Sequence, residues 1–190
     1  MIYAGSRIVN NWIYPIDKGY VLIDTGYESG FAHFKKQLAK MQIAPQQIQY
    51  IFYDDHAGYL NEILSGCSDI QMIMSDKALE RLYRGQNSFH GGCTTKIALF
   101  FCSLMKFVGK GKHLFPPIKQ EYSCRCIQVT KQNRKEMELL LQGKIIDTPG
   151  HTADSISLLL NDGSLFCGDA AMNGLPSLHR ITTVSYTHLT

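Results

Sequence analysis

The sequence predicts mixed α/β layers in which helices cover β-sheets. Two observations lead to this fold class. Near the N-terminus, β-type runs at 7–16 and 19–26 are joined by the turn residues Asp17, Lys18 and Gly19, which is the pattern of a β-hairpin. Behind the hairpin, short apolar runs alternate with segments of helical periodicity. A hairpin followed by strand–helix alternation is typical of sheets that are covered by helices on their outer faces.

The alternating elements can be placed in order along the chain. A helix is predicted over 30–41, because four apolar residues recur there at helical spacing before the break at Pro45. Further strands are predicted at 48–52, 70–74 and 126–130, and further helices at 57–65, 75–84 and 134–142. The alternation continues in the segment 143–152, where Ile145 and Ile146 precede a Pro-Gly corner. Ser75 or Asp76 is expected to cap the helix at 75–84. A second hairpin is predicted over 155–171, with its turn at Asn161, Asp162 and Gly163.

Residues 85–118 interrupt this alternation and are interpreted as an insertion that carries one helix. The insertion contains an apolar run at 97–108, which includes Lys106 and is shorter than the roughly 20 residues that a membrane-spanning helix needs. The run could form a buried helix, a lid over a pocket, or a helix lying on a membrane surface. With 190 residues, of which 45% are hydrophobic, the chain is predicted to form a single domain over 1–190 that includes this insertion.

Charge and cysteine usage exclude several classes of function. The formal net charge is only +3 and no run of basic residues occurs, so no nucleic-acid partner is expected. The six cysteines include no CxxC pair and the N-terminus lacks a secretory signal, which predicts a cytoplasmic protein with reduced thiols. Cys124 and Cys126 form a CxC that is predicted to lie on one strand face and pack there, with metal binding as the alternative.

Acidic and histidine residues follow several of the predicted strands. Asp55 and His56 stand directly behind one β-type run, and carboxylate oxygen and imidazole nitrogen are typical zinc ligands. The simpler interpretation is that Asp55 caps a helix and that His56 lies near the surface. Asp24, His151 and Asp169 also fall at strand ends, where loops commonly carry functional residues. Asp24 by itself could instead stabilise a turn.

Four segments occur in a fixed order, namely VLIDTG, DDHAGYLNEI, IIDTPGHTADSISLLL and LFCGDA. In this combination they resemble the metallo-β-lactamase superfamily, over about residues 8 to 173 of the chain. The resemblance implies an αβ/βα four-layer sandwich, in which two mixed β-sheets lie face to face with helices outside. It also implies a site for one or two divalent metal ions, commonly zinc.

The resemblance assigns roles to individual residues. Asp55 and His56 match the second-metal ligands of the family's His-x-His-x-Asp-His motif, and Asp55 is implied as the catalytic group that orients the attacking hydroxide. His151 matches the third histidine of the first-metal site. Asp169 matches the carboxylate that bridges both ions. Asp24 matches an aspartate that lies behind the site and orients it.

The chain departs from the family pattern in two places. The first two histidines of the motif are absent in either of two alignments. The sequence is four residues short when the segments are anchored on both sides, and Ile51 and Tyr53 take the places of the histidines when the segments are aligned without a gap. The family's last metal-binding histidine lies well beyond the Gly-Asp-Ala segment, whereas this sequence ends at 190, so a C-terminally incomplete fragment is expected. The loss of metal ligands predicts weakened metal affinity.

The expected function is that of a metal-dependent hydrolase, represented here by an incomplete copy. Metal-activated water would attack an ester, thioester, amide or phosphodiester bond of a small-molecule substrate. The alternative is a non-catalytic protein that keeps the same fold and binds a ligand or a partner. The hydrolase prediction requires Asp55, His56, His151 and Asp169 to converge on one cavity. The sequence does not indicate an oligomeric state.

Overall fold

The structure is a computed structural model of the chain, and it describes residues 1–5, 11–54, 56–85, 115–149 and 154–168. In these ranges the strands are β1 (Ile2–Tyr3), β2 (Trp12–Ile16), β3 (Gly19–Ile23), β4 (Ile48–Phe52), β5 (Gln71–Ser75), β6 (Cys126–Val129), β7 (Gly143–Asp147), β8 (Ile156–Leu160) and β9 (Leu165–Phe166). The helices are α1 (Phe31–Lys40), α2 (Leu60–Gly66), α3 (Ala78–Arg84) and α4 (Arg134–Leu140). Short 3₁₀ turns cover Glu28–Gly30, Pro45–Gln47 and Gln120–Arg125.

The first sheet contains six strands in the order β1-β2-β3-β4-β5-β6. The strands β1, β2 and β3 are antiparallel neighbours, which confirms the predicted N-terminal hairpin. From β3 to β6 all neighbours are parallel, because helices α1, α2 and α3 return the chain to the starting edge between successive strands. The carboxyl ends of β3, β4, β5 and β6 therefore meet at one edge of the sheet, and the loops that leave them are neighbours in space.

The second sheet has the order β7-β8-β9 and is antiparallel throughout the described residues. The first sheet is mixed, as predicted, and the pairing of the described strands of the second sheet is antiparallel. The physical reason is the short connections, since a few residues can join antiparallel but not parallel neighbours. The turn between β8 and β9 forms where it was predicted, with Gly163 at a φ of +88° and the Leu160 N–H donating to the Ser164 carbonyl at 2.8 Å.

One hydrophobic cluster fills the space between helices α1–α3 and the first sheet. In α1, Phe34 and Leu38 are buried, as the helical spacing predicted. They pack with the buried residues of the other helices and of one sheet face, which include Ile13, Leu22, Ile51, Tyr53, Leu60, Leu64, Met72 and Leu82. This helix-side core is the larger of the two clusters and holds the layer of helices on the sheet.

A second cluster lies between the two sheets. It joins Val21, Ile23, Phe52 and Ile73 of the first sheet to residues of the second sheet such as Ile145, Ile156 and Leu158. Helix α4 runs beside the edge strand β7, where Arg134 donates to the Ile145 carbonyl at 2.8 Å and Glu138 accepts from the Ile145 N–H at 3.0 Å. The two sheets thus lie face to face with helices on the outer face of the first, as the predicted sandwich requires.

Two expectations about the middle of the chain have different outcomes. The predicted cap of α3 is wrong, because Lys77 occupies the N-cap position without a side-chain cap, while Ser75 is the last residue of β5. The predicted insertion at 85–118 lies mostly outside the described residues, including the apolar run at 97–108, so its interpretation stays a prediction. No helix in the described part of the chain is long and apolar enough to cross a bilayer.

The helix-side core leads to a stability prediction with a matched control. Leu22→Ala removes a side chain that is fully buried in this cluster, and we expect the free energy of unfolding to fall by about 2–5 kcal/mol through lost burial and the cavity left behind. Leu139→Ala makes the same change at a residue that is 81% exposed, and we expect a change within about 0.5 kcal/mol. Chemical denaturation of both variants measures the difference, and equal losses would contradict the described packing.

Candidate functional site at the carboxyl ends of the parallel strands

Asp24 follows β3 and connects the ends of two neighbouring strands. Its backbone N–H donates to the Phe52 carbonyl at 2.9 Å, and its Oδ1 accepts from the Asp54 N–H at 2.8 Å. The residue is only 4% exposed and has a φ of +52°, a left-handed conformation that aspartate tolerates better than most residues. Asp24 thus fixes the backbone at the end of β4, up to Asp54.

Asp54 is the residue on which the two sheets meet. Its side chain is buried, and its Oδ1 accepts from the backbone N–H of Ile156, the first residue of β8, at 3.1 Å. A buried carboxylate is tolerated only when hydrogen bonds or opposite charges replace its hydration. Asp54 was not among the predicted site residues, yet it ties the end of β4 in the first sheet to the start of β8 in the second.

Arg81 supplies the positive charge at this edge. Its Nε lies 3.0 Å from Oδ2 of Asp154, and both side chains are almost completely buried. Another guanidinium nitrogen donates to the backbone carbonyl of Asp54, and the guanidinium carbon lies 5.4 Å from the ring centre of Tyr53. The side chain of one helix therefore reaches both the end of β4 and the segment that leads into β8.

His56 is held by its backbone. Its carbonyl accepts two hydrogen bonds from Thr25, one from the N–H and one from Oγ1, each at 3.0 Å. Gly58 lies against the loop that follows β3, so that a Cβ on Gly58 would be 2.2 Å from the Gly26 carbonyl oxygen. The partly exposed imidazole meets the ring of Tyr27 edge-on, with 6.0 Å between ring centres. His56 thus stands at the sheet edge where it was predicted.

The ring of Tyr59 packs against the loop that contains Gly26. The same ring is buried and packs against Phe34 with 5.3 Å between ring centres. Burial raises the pKa of the Tyr59 hydroxyl far above its usual range, since desolvation disfavours the charged form. Tyr59 is therefore a packing residue and is not a candidate general base at neutral pH.

Gly168 brings the end of the β8–β9 hairpin onto Asp54. A Cβ placed on Gly168 would lie 2.1 Å from Oδ2 of Asp54, and the residue has a φ of +46°. Both observations require glycine at this position, because no side chain fits there and the backbone is left-handed. The segment that precedes Asp169 therefore touches the same carboxylate that bonds to β8.

The predicted site residues differ in what the structure describes. His56 and Asp24 lie at the expected edge, whereas Asp55, His151 and Asp169 lie outside the described residues, so their roles stay predictions. Within the described ranges no group of three or more histidine, cysteine, aspartate or glutamate side chains could hold a metal ion. The described neighbours of Asp55, His151 and Asp169 do come together, because Gly168 lies against the Asp54 carboxylate and Arg81 contacts both Asp54 and Asp154.

Ile51 and Tyr53, which stand opposite the first two motif histidines in the ungapped alignment, are both buried in the helix-side core. Because side chains alternate across a strand, they face helices α1–α3 while Phe52 faces the second sheet. Neither side chain offers a typical zinc ligand. The described residues thus provide no substitute for the absent ligands at these two positions.

Comparisons of the structure with solved structures give a consistent result. A HARLDQ-motif mutant of a metallo-β-lactamase from Cronobacter sakazakii matches with a TM-score of 0.59 and 18% identity, covering 92% of this chain and 63% of its own. A metallo-β-lactamase from Novosphingobium pentaromativorans matches with a TM-score of 0.57 and 19% identity, over 86% of this chain and 55% of its own. A subclass B3 metallo-β-lactamase from a soil metagenome library matches with a TM-score of 0.54 and 16% identity, over 86% and 56%.

The chain has the metallo-β-lactamase fold. It spans about three fifths of the length of these solved chains. No protein-family model matches the sequence, and no curated protein matches it.

The Cys124–Cys126 pair lies away from this edge of the metallo-β-lactamase fold. Cys124 belongs to the 3₁₀ turn Gln120–Arg125 and is exposed, while Cys126 begins β6 and is half-buried, so the expectation of one shared strand face is wrong. The turn replaces the strand because the backbone N–H groups there bond locally, as in the Tyr122 N–H to Lys119 carbonyl bond of 3.0 Å. The two cysteines stand at the amino end of β6, whereas the candidate site lies at the carboxyl ends.

The contact between Gly168 and Asp54 can be tested by a pair of glycine substitutions. Gly163→Ala adds a methyl group in open space at a φ of +88°, and we expect a loss of about 1 kcal/mol from the left-handed backbone alone. Gly168→Ala has the same backbone cost and also pushes against Asp54, and we expect a further loss of about 1–3 kcal/mol. Unfolding free energies measure both, and equal losses would disprove this contact.

The cysteine pair leads to a prediction about reactivity. Burial raises the pKa of the Cys126 thiol to about 11, so its reactive thiolate is scarce at pH 8 and becomes abundant only as the pH approaches 11. We expect iodoacetamide at pH 8 to alkylate exposed Cys124 at least about tenfold faster than Cys126, as followed by peptide mass spectrometry. The raised pKa also means that the stability contributed by the neutral thiol is present below the unfolded pKa and is lost as pH rises toward 11. Similar alkylation rates at pH 8 would contradict the described burial.

Proposed function

We propose that this chain is part of a metal-dependent hydrolase that uses metal-activated water on an ester, thioester, amide or phosphodiester bond of a small molecule. The ligands proposed for the metal are Asp55, His56, His151 and Asp169, and Asp55 is proposed to orient the attacking water. Asp24 supports them by holding the backbone of Asp54. The modest net charge of +3 favours a small substrate over a nucleic acid.

The observation that carries the proposal is the convergence of the neighbours of these ligands. Asp55 is the next residue after Asp54, and Asp169 is the next residue after Gly168, which lies against the Asp54 carboxylate. The loop that contains His151 is closed by a 3.0 Å hydrogen bond between the Thr148 N–H and the Ser155 carbonyl. Because three separate segments meet around one buried carboxylate, the fold supports a shared site at this edge.

The donor set suits the proposed metal. Two imidazoles and two carboxylates are the mixture that zinc accepts in catalytic sites. A bound divalent ion would lower the pKa of coordinated water toward neutrality and stabilise the oxygen on which negative charge develops. Asp55 would orient that water toward the substrate.

A second candidate is a non-catalytic protein that binds a ligand or a partner with the same fold. The observation in its favour is that Ile51 and Tyr53 belong to the helix-side core, which leaves the first-metal position short of ligands. Among the structural neighbours, one metallo-β-lactamase is described by a HARLDQ motif, which differs from His-x-His-x-Asp-His at its third and sixth positions. A changed motif is thus compatible with the metallo-β-lactamase fold, and metal binding decides between the candidates.

The test combines metal stoichiometry with turnover. We expect the chelator-treated chain to take up at least about one zinc ion when zinc is restored, measured by elemental analysis after gel filtration. Hydrolysis of chromogenic esters, thioesters or phosphodiesters should disappear with chelator and return with zinc. His56→Ala should weaken zinc affinity at least about tenfold, because the loss of a group that only orients a metal ligand already costs about that much, and His56 is proposed to bind the metal directly.

The control is His33→Ala. His33 lies on α1, is exposed, and bonds only locally and to the Gly5 carbonyl at 3.1 Å in the described residues, so zinc affinity should not change. Uptake of zinc with unaltered affinity in His56→Ala would disprove the proposed ligand set. Absence of zinc uptake in the parent chain would favour the non-catalytic candidate.

A further inference from the structure

We propose that Arg81 is a positioning residue of the candidate metal site, and that its guanidinium aligns the segments of the two sheets that carry the ligands. This inference rests on the proposed function. It concerns a residue that the metallo-β-lactamase resemblance did not assign any role, and it follows from the contacts of one buried side chain.

The Arg81 side chain extends from the helix layer to the edge of the first sheet. Arg81 starts from α3, outside the first sheet, and ends at the edge where β4 stops and β8 starts. Its guanidinium donates to the Asp54 carbonyl and pairs with the Asp154 carboxylate at 3.0 Å. The planar guanidinium of arginine can contact two acceptors at once, here through a hydrogen bond to the Asp54 carbonyl and a charge contact with Asp154. Arg81 therefore sets the relative position of Asp54 and Asp154, which belong to different layers.

A charged side chain is energetically unfavourable at this buried position. The Arg81 side chain is 3% exposed, and its neighbours on the buried stripe of α3 are Ala78 and Leu82. Taking two charges out of water costs about as much as their attraction returns, and apolar replacements of buried ion pairs are often neutral or stabilising. Packing alone would thus be served by another leucine, so the ion pair points to a role in geometry.

The two residues that Arg81 contacts adjoin the proposed metal ligands. Asp54 directly precedes Asp55 and His56, and Asp154 lies at the end of the loop that contains His151. Asp54 also accepts from the Ile156 N–H at 3.1 Å, so the charge pair and this hydrogen bond cross the gap between the sheets side by side. Arginine stays protonated in proteins, so the positive charge of Arg81 is present throughout the pH range in which the chain is folded.

The test uses cobalt(II) as the metal probe, because its visible absorption reports both affinity and ligand geometry. We expect Arg81→Leu to weaken cobalt binding at least about tenfold, the usual cost of losing a group that orients metal ligands, and to alter the absorption spectrum of the bound ion. Arg81→Lys retains the charge but not the planar fork, and it should also bind cobalt more weakly than the parent chain. Circular dichroism establishes that each variant is folded.

The matched control is Arg125→Leu. Arg125 also places its guanidinium over a tyrosine, at 5.0 Å from the Tyr122 ring centre, and also donates to backbone carbonyls, those of Leu64 and Cys67 at 2.8 Å. It stands at the amino end of β6, on the opposite edge of the sheet. We expect its loss to change cobalt affinity by less than about twofold.

The outcomes separate this inference from the proposed function. A parent chain that binds cobalt, together with an Arg81→Leu variant of unchanged affinity and spectrum, overturns the role of Arg81 and leaves the proposed function standing. Equal weakening by Arg125→Leu also overturns it, because the effect would then be a general loss of stability. A parent chain that binds no cobalt overturns both proposals. If Arg81→Leu fails to fold, Asp154→Asn removes the ionic partner instead, and the same loss of affinity is expected.

Discussion

The buried carboxylate and backbone of Asp54 are the point on which the rest of this structure depends. Its N–H donates to Asp24, which follows β3, its carbonyl accepts from Arg81 of α3, and its Oδ1 accepts from the Ile156 N–H of β8. Gly168 approaches the same carboxylate from the second hairpin. A carboxylate without such partners would be costly to bury. The burial of Asp54 therefore depends on these contacts jointly. The apolar clusters hold the sheets and helices against one another, but they are non-directional, and the Asp54 contacts define how the layers meet at this edge.

Much of the fold could be predicted from local sequence, for physical reasons that individual elements illustrate. The β-type run at 19–26 and the turn chemistry at Gly163 report conformations that are decided within a few residues, and both elements occur where they were expected. Strand β1 was missed because Ile2 and Tyr3 are too few to show any periodicity. The cap of α3 was missed because β5 continues through Ser75, and strand pairing overrode the capping preference of serine.

The candidate site was predictable only in part, because its central contacts join residues that are distant along the chain. His56 and Asp24 could be recognised because a motif places each directly behind a strand. Asp54 contacts Ile156 across 102 positions, and Arg81 reaches Asp54 across 27, and no local pattern reveals such pairs. Arg81 lies three residues after Ala78, on the buried stripe of an amphipathic helix. That spacing is the one signal that could have marked it, since a charged residue on an apolar face needs a buried partner.

The loss of metal-binding histidines need not disturb this fold, and the reason lies in where the stability of the sandwich comes from. Metal binding contributes to folding where ligands would otherwise have nothing to hold them together. Here the sheets are joined by an apolar cluster, and at the site edge by hydrogen bonds and an ion pair made only of protein groups. Ile51 and Tyr53 even add buried apolar surface to the helix-side core, which is favourable by itself. Selection for the fold and selection for the metal can therefore separate in such a chain. Similarity of fold alone then does not show whether the chain binds a metal. Metal content measured at the edge around Asp54 does.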